Sequence, residues 1–187
     1  MAREVESVYG EALFEAARDK GRLQEIYEEA GAVIIGLDEN PELISILENP
    51  SIDSDKKEAL LKGIFDGRVD ELIRNTLMMA FEKGHSRSLT KILKVFIKNA
   101  RTELGIGEAS VKTAFELSDK QKAEVEAKIK DTAKFKEVII DYKVDKSLIG
   151  GMIIKIGDRV VDSSIANQLE SLRKSLMKGQ QANEVKS

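Results

Sequence analysis

The spacing of apolar residues changes once along the chain, near Gly105, and that switch constrains the fold more than any other feature. Before it, apolar side chains recur every three or four positions, the period that lines one face of an α-helix. After it they alternate, the period of a half-buried strand. No internal repeat or low-complexity tract joins the two halves. The chain is therefore predicted to be mainly α: a six-helix bundle over 1–105, followed by a small α+β unit over 106–187.

The helical half divides at turn signals. Val5, Val8, Tyr9, Ala12, Leu13 and Ala16 mark a first helix. Leu23, Ile26, Tyr27, Ala30, Val33, Ile34 and Leu37 mark a second, separated from the first around Gly21. Asn40-Pro41 opens a third, because asparagine can cap and proline suits a first helical turn, and Asn49-Pro50 closes it. A fourth begins at Asp53 or Ser54 and a fifth carries Leu72, Ile73, Leu77, Met78, Ala80 and Phe81. The sixth is predicted from about Ser86 to Leu104, with Leu89, Ile92, Leu93, Phe96, Ile97 and Ala100 on one side.

In the second half, Ala109, Val111, Thr113 and Phe115 are predicted to face one way along a strand. Ser118 and Gln121 have the spacing of a capping box, which predicts a helix to about Asp131. Val138–Lys143 reads as a second strand. The stretch from Val144 to Ser164 then reads as a hairpin turning at Gly157-Asp158 and feeding a terminal helix from Ser164 to about Lys178. Gly150 and Gly151 either allow an unusual backbone angle or let another element pack closely. Asp162 or Ser163 is placed to accept from the first helical N–H groups. The link Gly105-Ile106-Gly107 is expected to allow motion.

The composition excludes much chemistry. With no cysteine and one histidine, His85, metal sites built from nitrogen and sulfur ligands are ruled out, as is a cysteine nucleophile. An enzyme would need His85 beside a carboxylate, yet Lys83, Gly84, Ser86 and Arg87 around it read as an interhelical turn. There is no phosphate-binding glycine loop, so no cofactor is expected. Glu25, Glu28, Glu29 and Asp38 read as a solvated helix surface. The opening residues lack a signal-peptide pattern and no apolar run reaches membrane-spanning length.

One charged pattern leaves a choice open. Arg87, Lys91, Lys94, Lys98 and Arg101 form a basic stripe along the sixth helix. The stripe fits a solvated face or an acidic protein partner better than nucleic acid. No aromatic interleaves it, and the chain's net charge is −3. A nucleic-acid-binding module using this helix is the alternative function.

Val138, Ile140, Asp145, Leu148, Gly150, Gly151, Ile153, Ile154, Lys155, Gly157, Val160, Val161, Asp162 and Ser164 together resemble the C-terminal signature of one family. It is the delta subunit of the F-type ATP synthase, related to the mitochondrial oligomycin-sensitivity-conferring protein. Tyr9, Ala12, Leu13 and Ala16, with Asn49-Pro50 and Lys57, match its N-terminal pattern. Gly10 departs from the family's usual Ala, Ser163 from a common Gly, and the turn around His85 from the usual Asn-Gly-Arg.

The resemblance implies a non-catalytic stator in a proton- or sodium-translocating enzyme, tying the catalytic head to the peripheral stalk. One copy per complex would sit at the cytoplasmic face of the bacterial plasma membrane, reaching the membrane only through partners. It implies that the N-terminal bundle receives the amphipathic N-terminal helix of an alpha subunit along the first and fifth helices. There Ala12 and Ala16 are small enough to leave a groove beside Tyr9 and Leu13, and Leu77, Met78 and Phe81 can repack around an incoming helix. All seven also suit a plain core. The stalk's b subunits would be held by the second unit, with Leu169, Leu172, Leu176 and Met177 of the terminal helix as the expected surface. Packing on the hairpin would account for Leu169 and Leu172, leaving Leu176 and Met177 for a partner. The signature residues Asp145, Gly150, Gly151, Gly157, Asp162 and Ser164 are expected to be structural.

Overall fold

The structure, a computed structural model, describes residues 2–170 together with 172 and 173. The chain forms two compact units, Met1–Leu104 and Gly105–Ser187. The first is helical: α1 (Ala2–Asp19), α2 (Leu23–Glu39), α3 (Pro41–Glu48), α4 (Ser54–Phe65), α5 (Glu71–Glu82) and α6 (Leu89–Leu104). Local chemistry sets these limits. Pro41 occupies the first turn of α3, where its missing N–H costs nothing. The Asp70 carboxylate accepts from the Leu72 N–H at 2.8 Å and so caps α5.

α6 begins three residues later than its apolar pattern suggests, because Ser86–Ser88 form a tighter 3-10 turn ahead of it. It is the element around which the bundle closes. Leu89, Ile92, Leu93, Phe96 and Ala100 are fully buried, and α1 and α2 both pack on it. Each such aliphatic or aromatic side chain contributes roughly 1.5–3 kcal/mol of burial. The approach of α1 is close enough to demand a glycine. A Cβ on Gly10 would lie 2.8 Å from the Val95 side chain and 2.9 Å from the Ile92 carbonyl oxygen.

The second unit is a four-stranded sheet in the order β2-β1-β3-β4, with one helix on it. β1 (Ile106–Thr113) runs through α7 (Asp119–Ala133) to the parallel strand β2 (Glu137–Val144). β3 (Met152–Ile156) then pairs antiparallel with β1 and turns into β4 (Arg159–Asp162). Register places Ala109, Val111 and Thr113 on the same face as Ile140, Tyr142, Ile154 and Ile156. Val125 and Ile129 of α7 join them in the core. The capping box is formed: Ser118 Oγ accepts from the Gln121 N–H while the Gln121 side chain accepts from the Ser118 N–H.

Two expectations are corrected here. Phe115 does not continue β1, which ends at Thr113, and its side chain is 59% exposed. Thr113 takes the last inward position instead, donating its hydroxyl to the Phe115 carbonyl at 2.7 Å. Gly107 is not a linker residue. It lies inside β1 with the Phe135 ring filling the space a Cβ would need, and the Gly105 carbonyl accepts from the Lys136 N–H at 3.0 Å.

Candidate functional site: the α1 and α5 face and the sheet edge

α1 and α5 lie side by side and run in opposite directions. Near the start of α1 the Tyr9 ring stands 6.4 Å from the imidazole of His85, which follows α5. Beyond the end of α1, the Arg22 guanidinium reaches the Asp70 carboxylate that caps the start of α5, at 2.8 Å. The inner face of α1 is made by Glu6, Gly10, Leu13 and Ala17, all buried. Glu6 is tolerated there because its carboxylate accepts from Ser88 Oγ at 3.1 Å and meets Lys91 Nζ at 3.2 Å.

The expected groove residues separate into two groups. Leu13, Leu77 and Met78 are core, packed among the helices, and so take the plain-core alternative. Tyr9, Ala16 and Phe81 are half-buried and Ala12 is exposed. Phe81 turns away from α1, toward a polar cleft shared with Leu47 of α3 and Lys57 of α4. Among the described residues of these helices, the large apolar side chains that meet solvent are Val8, 64% exposed, and Met79, 55% exposed. Val8, Ala12 and Ala16 fall four residues apart on α1 and form one stripe. Met79 was missed because its neighbours Met78 and Ala80 carry the inward signal.

The same bundle holds a second apolar groove of about 490 Å³ among α2, α3 and α4, lined by Leu37, Leu43, Ile46, Leu60 and Ile64. Sequence periodicity gave no sign of it, since these residues count equally well as core.

Four residues of the basic stripe, which starts in the 3-10 turn and continues along α6, find partners within the bundle. Arg87 pairs with Glu48 of α3, Lys91 with Glu6 of α1, and Lys94 with Asp38 of α2 at 3.1 Å. Arg101 donates to the Tyr27 hydroxyl at 3.1 Å. Glu29, expected on a solvated surface, is half-buried and accepts from the Asp70 N–H at 2.7 Å. His85 faces Tyr9 across the α5–α6 turn, and no group of acidic and histidine side chains able to hold a metal occurs among the described residues.

In the second unit the hairpin forms as expected, with Gly157 at φ +56° in the turn. Gly151 has φ +79°, and a Cβ there would lie 2.3 Å from the Ser163 carbonyl oxygen. Asp162 accepts from the Ser164 N–H at 2.8 Å, and Ser164 Oγ accepts from the Asn167 N–H at 3.2 Å. The cap of the helical segment over 165–170 is thus Ser164, with Asp162 orienting it. Hydrogen bonds from the Ser164 side chain and backbone hold the Asp162 carboxyl below its usual range, as those from Ser147 do for Asp145.

Leu169 and Leu172 do not cover the hairpin. They are 56% and 57% exposed, and Val160 and Val161 of the edge strand β4 are mostly exposed as well. Leu176 and Met177 lie outside the described residues.

Comparison with known proteins decides the family. The profile of the ATP synthase delta (OSCP) subunit family matches residues 5–176. This chain belongs to that family. An "ATP synthase subunit delta" from Lachnoclostridium phytofermentans is 40% identical over 178 residues, covering 95% of this chain and 98% of that one. Another from Trichodesmium erythraeum is 35% identical over 176 residues, covering 94% and 97%. Among solved structures, a chain of the Toxoplasma gondii mitochondrial ATP synthase hexamer shares the fold, with a TM-score of 0.65 at 21% identity over 92% of this chain and 97% of that one. As a delta (OSCP) subunit, the protein is a non-catalytic stator component of the F-type ATP synthase. The nucleic-acid alternative has no support, and Arg87, Lys91 and Lys94 of its basic stripe each pair with a carboxylate of the bundle.

Proposed function

We propose that the two units divide the stator's work, with the bundle over 1–105 seating the amphipathic N-terminal helix of an alpha subunit and the unit over 106–187 holding the stalk's b subunits. The seat is the α1 and α5 face. The observation that carries this reading is the exposed apolar pair Val8 and Met79 on two adjacent antiparallel helices, with Ala12 and Ala16 continuing the stripe. Small residues let an incoming helix approach closely, and the exposed Val and Met provide apolar area to bury. Tyr9 borders the face, while Leu13, Leu77 and Met78 support it from within the core.

For the stalk, the supporting observation is that Val160 and Val161 of the edge strand β4 and Leu169 and Leu172 after it are apolar side chains left mostly exposed. No helix among the described residues is long and apolar enough to cross a membrane. Membership of the delta (OSCP) subunit family supports a place at the cytoplasmic face of the plasma membrane, reached through partners. Titrating the full chain with a synthetic peptide of the alpha-subunit N-terminus tests the seat: saturable binding that Ala12→Arg abolishes supports it, and equal binding by Ala12→Arg contradicts it.

A further inference from the structure

The face between α1 and α5 is only as well defined as the spacing of the two helices, and one polar cluster sets that spacing at the end where α5 begins. Arg22 is not in a helix, but its N–H donates to the Ala17 carbonyl at 3.0 Å, so its backbone is fixed to the last turn of α1. Its carbonyl in turn accepts from the Ile26 N–H at 3.0 Å, which fixes it to the first turn of α2. From there the guanidinium crosses to Asp70, 2.8 Å away.

Asp70 is a different kind of partner from the other carboxylate that Arg22 meets. Its side chain is 10% exposed, whereas that of Glu25 is 61% exposed. One Asp70 oxygen accepts from Leu72 N–H, the other receives Arg22, and the Asp70 N–H is taken by Glu29 of α2. Three elements therefore converge on the first turn of α5. An exposed ion pair such as Arg22 with Glu25 adds little to stability, because water screens it. A shielded carboxylate that already caps a helix holds its partner in a narrower range of positions.

We propose that the contact between Arg22 and Asp70 is a strut that holds α5 at the spacing from α1 that an incoming helix requires, which makes both of them positioning residues of the partner-binding face. Neither side chain need touch the partner. The inference rests on the reading of the α1 and α5 face as the seat of the alpha-subunit helix. Its consequence is preorganisation: without the strut, part of the binding free energy goes into restoring the helix spacing.

The test uses the full chain and the alpha-subunit N-terminal peptide, with affinity measured at a temperature where every variant is fully folded by circular dichroism. Arg22→Gln removes the strut and leaves the Asp70 cap in place. It is expected to bind the peptide about fivefold more weakly than the unsubstituted chain. Arg22→Lys is expected to recover most of that loss. Glu25→Gln, which removes only the exposed pair, is expected to bind as the unsubstituted chain does. The Met79 methyl resonance of the free protein should move in Arg22→Gln and stay in place in Glu25→Gln, a change that a uniform loss of stability would not produce. Unchanged affinity in Arg22→Gln, or an equal loss in Arg22→Gln and Glu25→Gln, overturns the strut while leaving the seat intact. Failure of the unsubstituted chain to bind the peptide overturns the seat itself, and the strut with it.

Discussion

The backbone of Gly151 meets that of Ser163 so closely that no side chain fits between them: a Cβ on Gly151 would sit 2.3 Å from the Ser163 oxygen and 2.9 Å from the Ser164 Cα. With φ at +79°, Gly151 also holds a backbone angle that other residues adopt only under strain. Gly151→Ala is expected to destabilise the second unit by about 2 kcal/mol or more. Gly157→Ala has open space around it and only the φ cost, about 1 kcal/mol. Urea denaturation of the two variants should preserve that order.

The same joint gives a pH dependence. The Asp162 carboxyl titrates below its usual range because the Ser164 side chain and backbone bond to its charged form, and Asp145 does so because of Ser147. A folded value below the unfolded one means the stabilisation is complete above the unfolded value, near pH 4, and disappears as pH falls through the folded one. Carboxyl NMR titration should give midpoints for both residues below about 3.9. Asp162→Asn should remove part of the acid sensitivity of the second unit.

In the bundle, α1 is set by how closely it approaches α6. Gly10→Ala would push a methyl against Val95 and the Ile92 carbonyl and is expected to cost about 1–3 kcal/mol by overpacking. Val95→Ala in the same chain should relieve only part of this, because the carbonyl at 2.9 Å remains. Thermal melting of the single and double variants measures the difference.

These sites also mark where the sequence was and was not legible. Short-range signals carried through: the box of Ser118 with Gln121, the Gly157-Asp158 turn, and Pro41 at the start of α3 all depend on residues a few positions apart. The inner face of α1 did not. It includes Glu6 and Gly10, which no apolar count selects, because one is satisfied by Ser88 and the other is shaped by Val95, both more than eighty residues away in the chain. The basic stripe was visible, but its acidic partners on α1, α2 and α3 were not, so cations paired within the bundle looked unpaired. Exposure on the candidate site was hardest to read. Periodicity marks Leu77 and Met78 as apolar without distinguishing core from docking face, and Met79 carries the exposed position between them and the turn.

Core and seat should respond differently to substitution. Leu77→Ala, at a fully buried position, is expected to lower stability by about 2–5 kcal/mol. Val8→Asp, on the solvent side of α1, is expected to leave the melting temperature nearly unchanged and to abolish binding of the alpha-subunit peptide. Paired measurements of melting and peptide affinity distinguish the two roles.

The cations of the basic stripe allow a direct check on the discarded function. With Arg87, Lys91 and Lys94 each held by a carboxylate of the bundle, fluorescence anisotropy with labelled duplex DNA should show no saturable binding at physiological salt.

The central claim is that this chain joins the catalytic head to the stalk through two separate faces. The most direct measurement is the fraction of the head that stays on membranes when the synthase is reassembled with variants of this chain. Val8→Asp with Ala12→Arg on one face, and Leu169→Asp with Leu172→Asp on the other, should each release the head and abolish ATP-driven ion pumping, while the isolated variants remain folded. A head that stays attached and pumps normally with either pair would contradict the account.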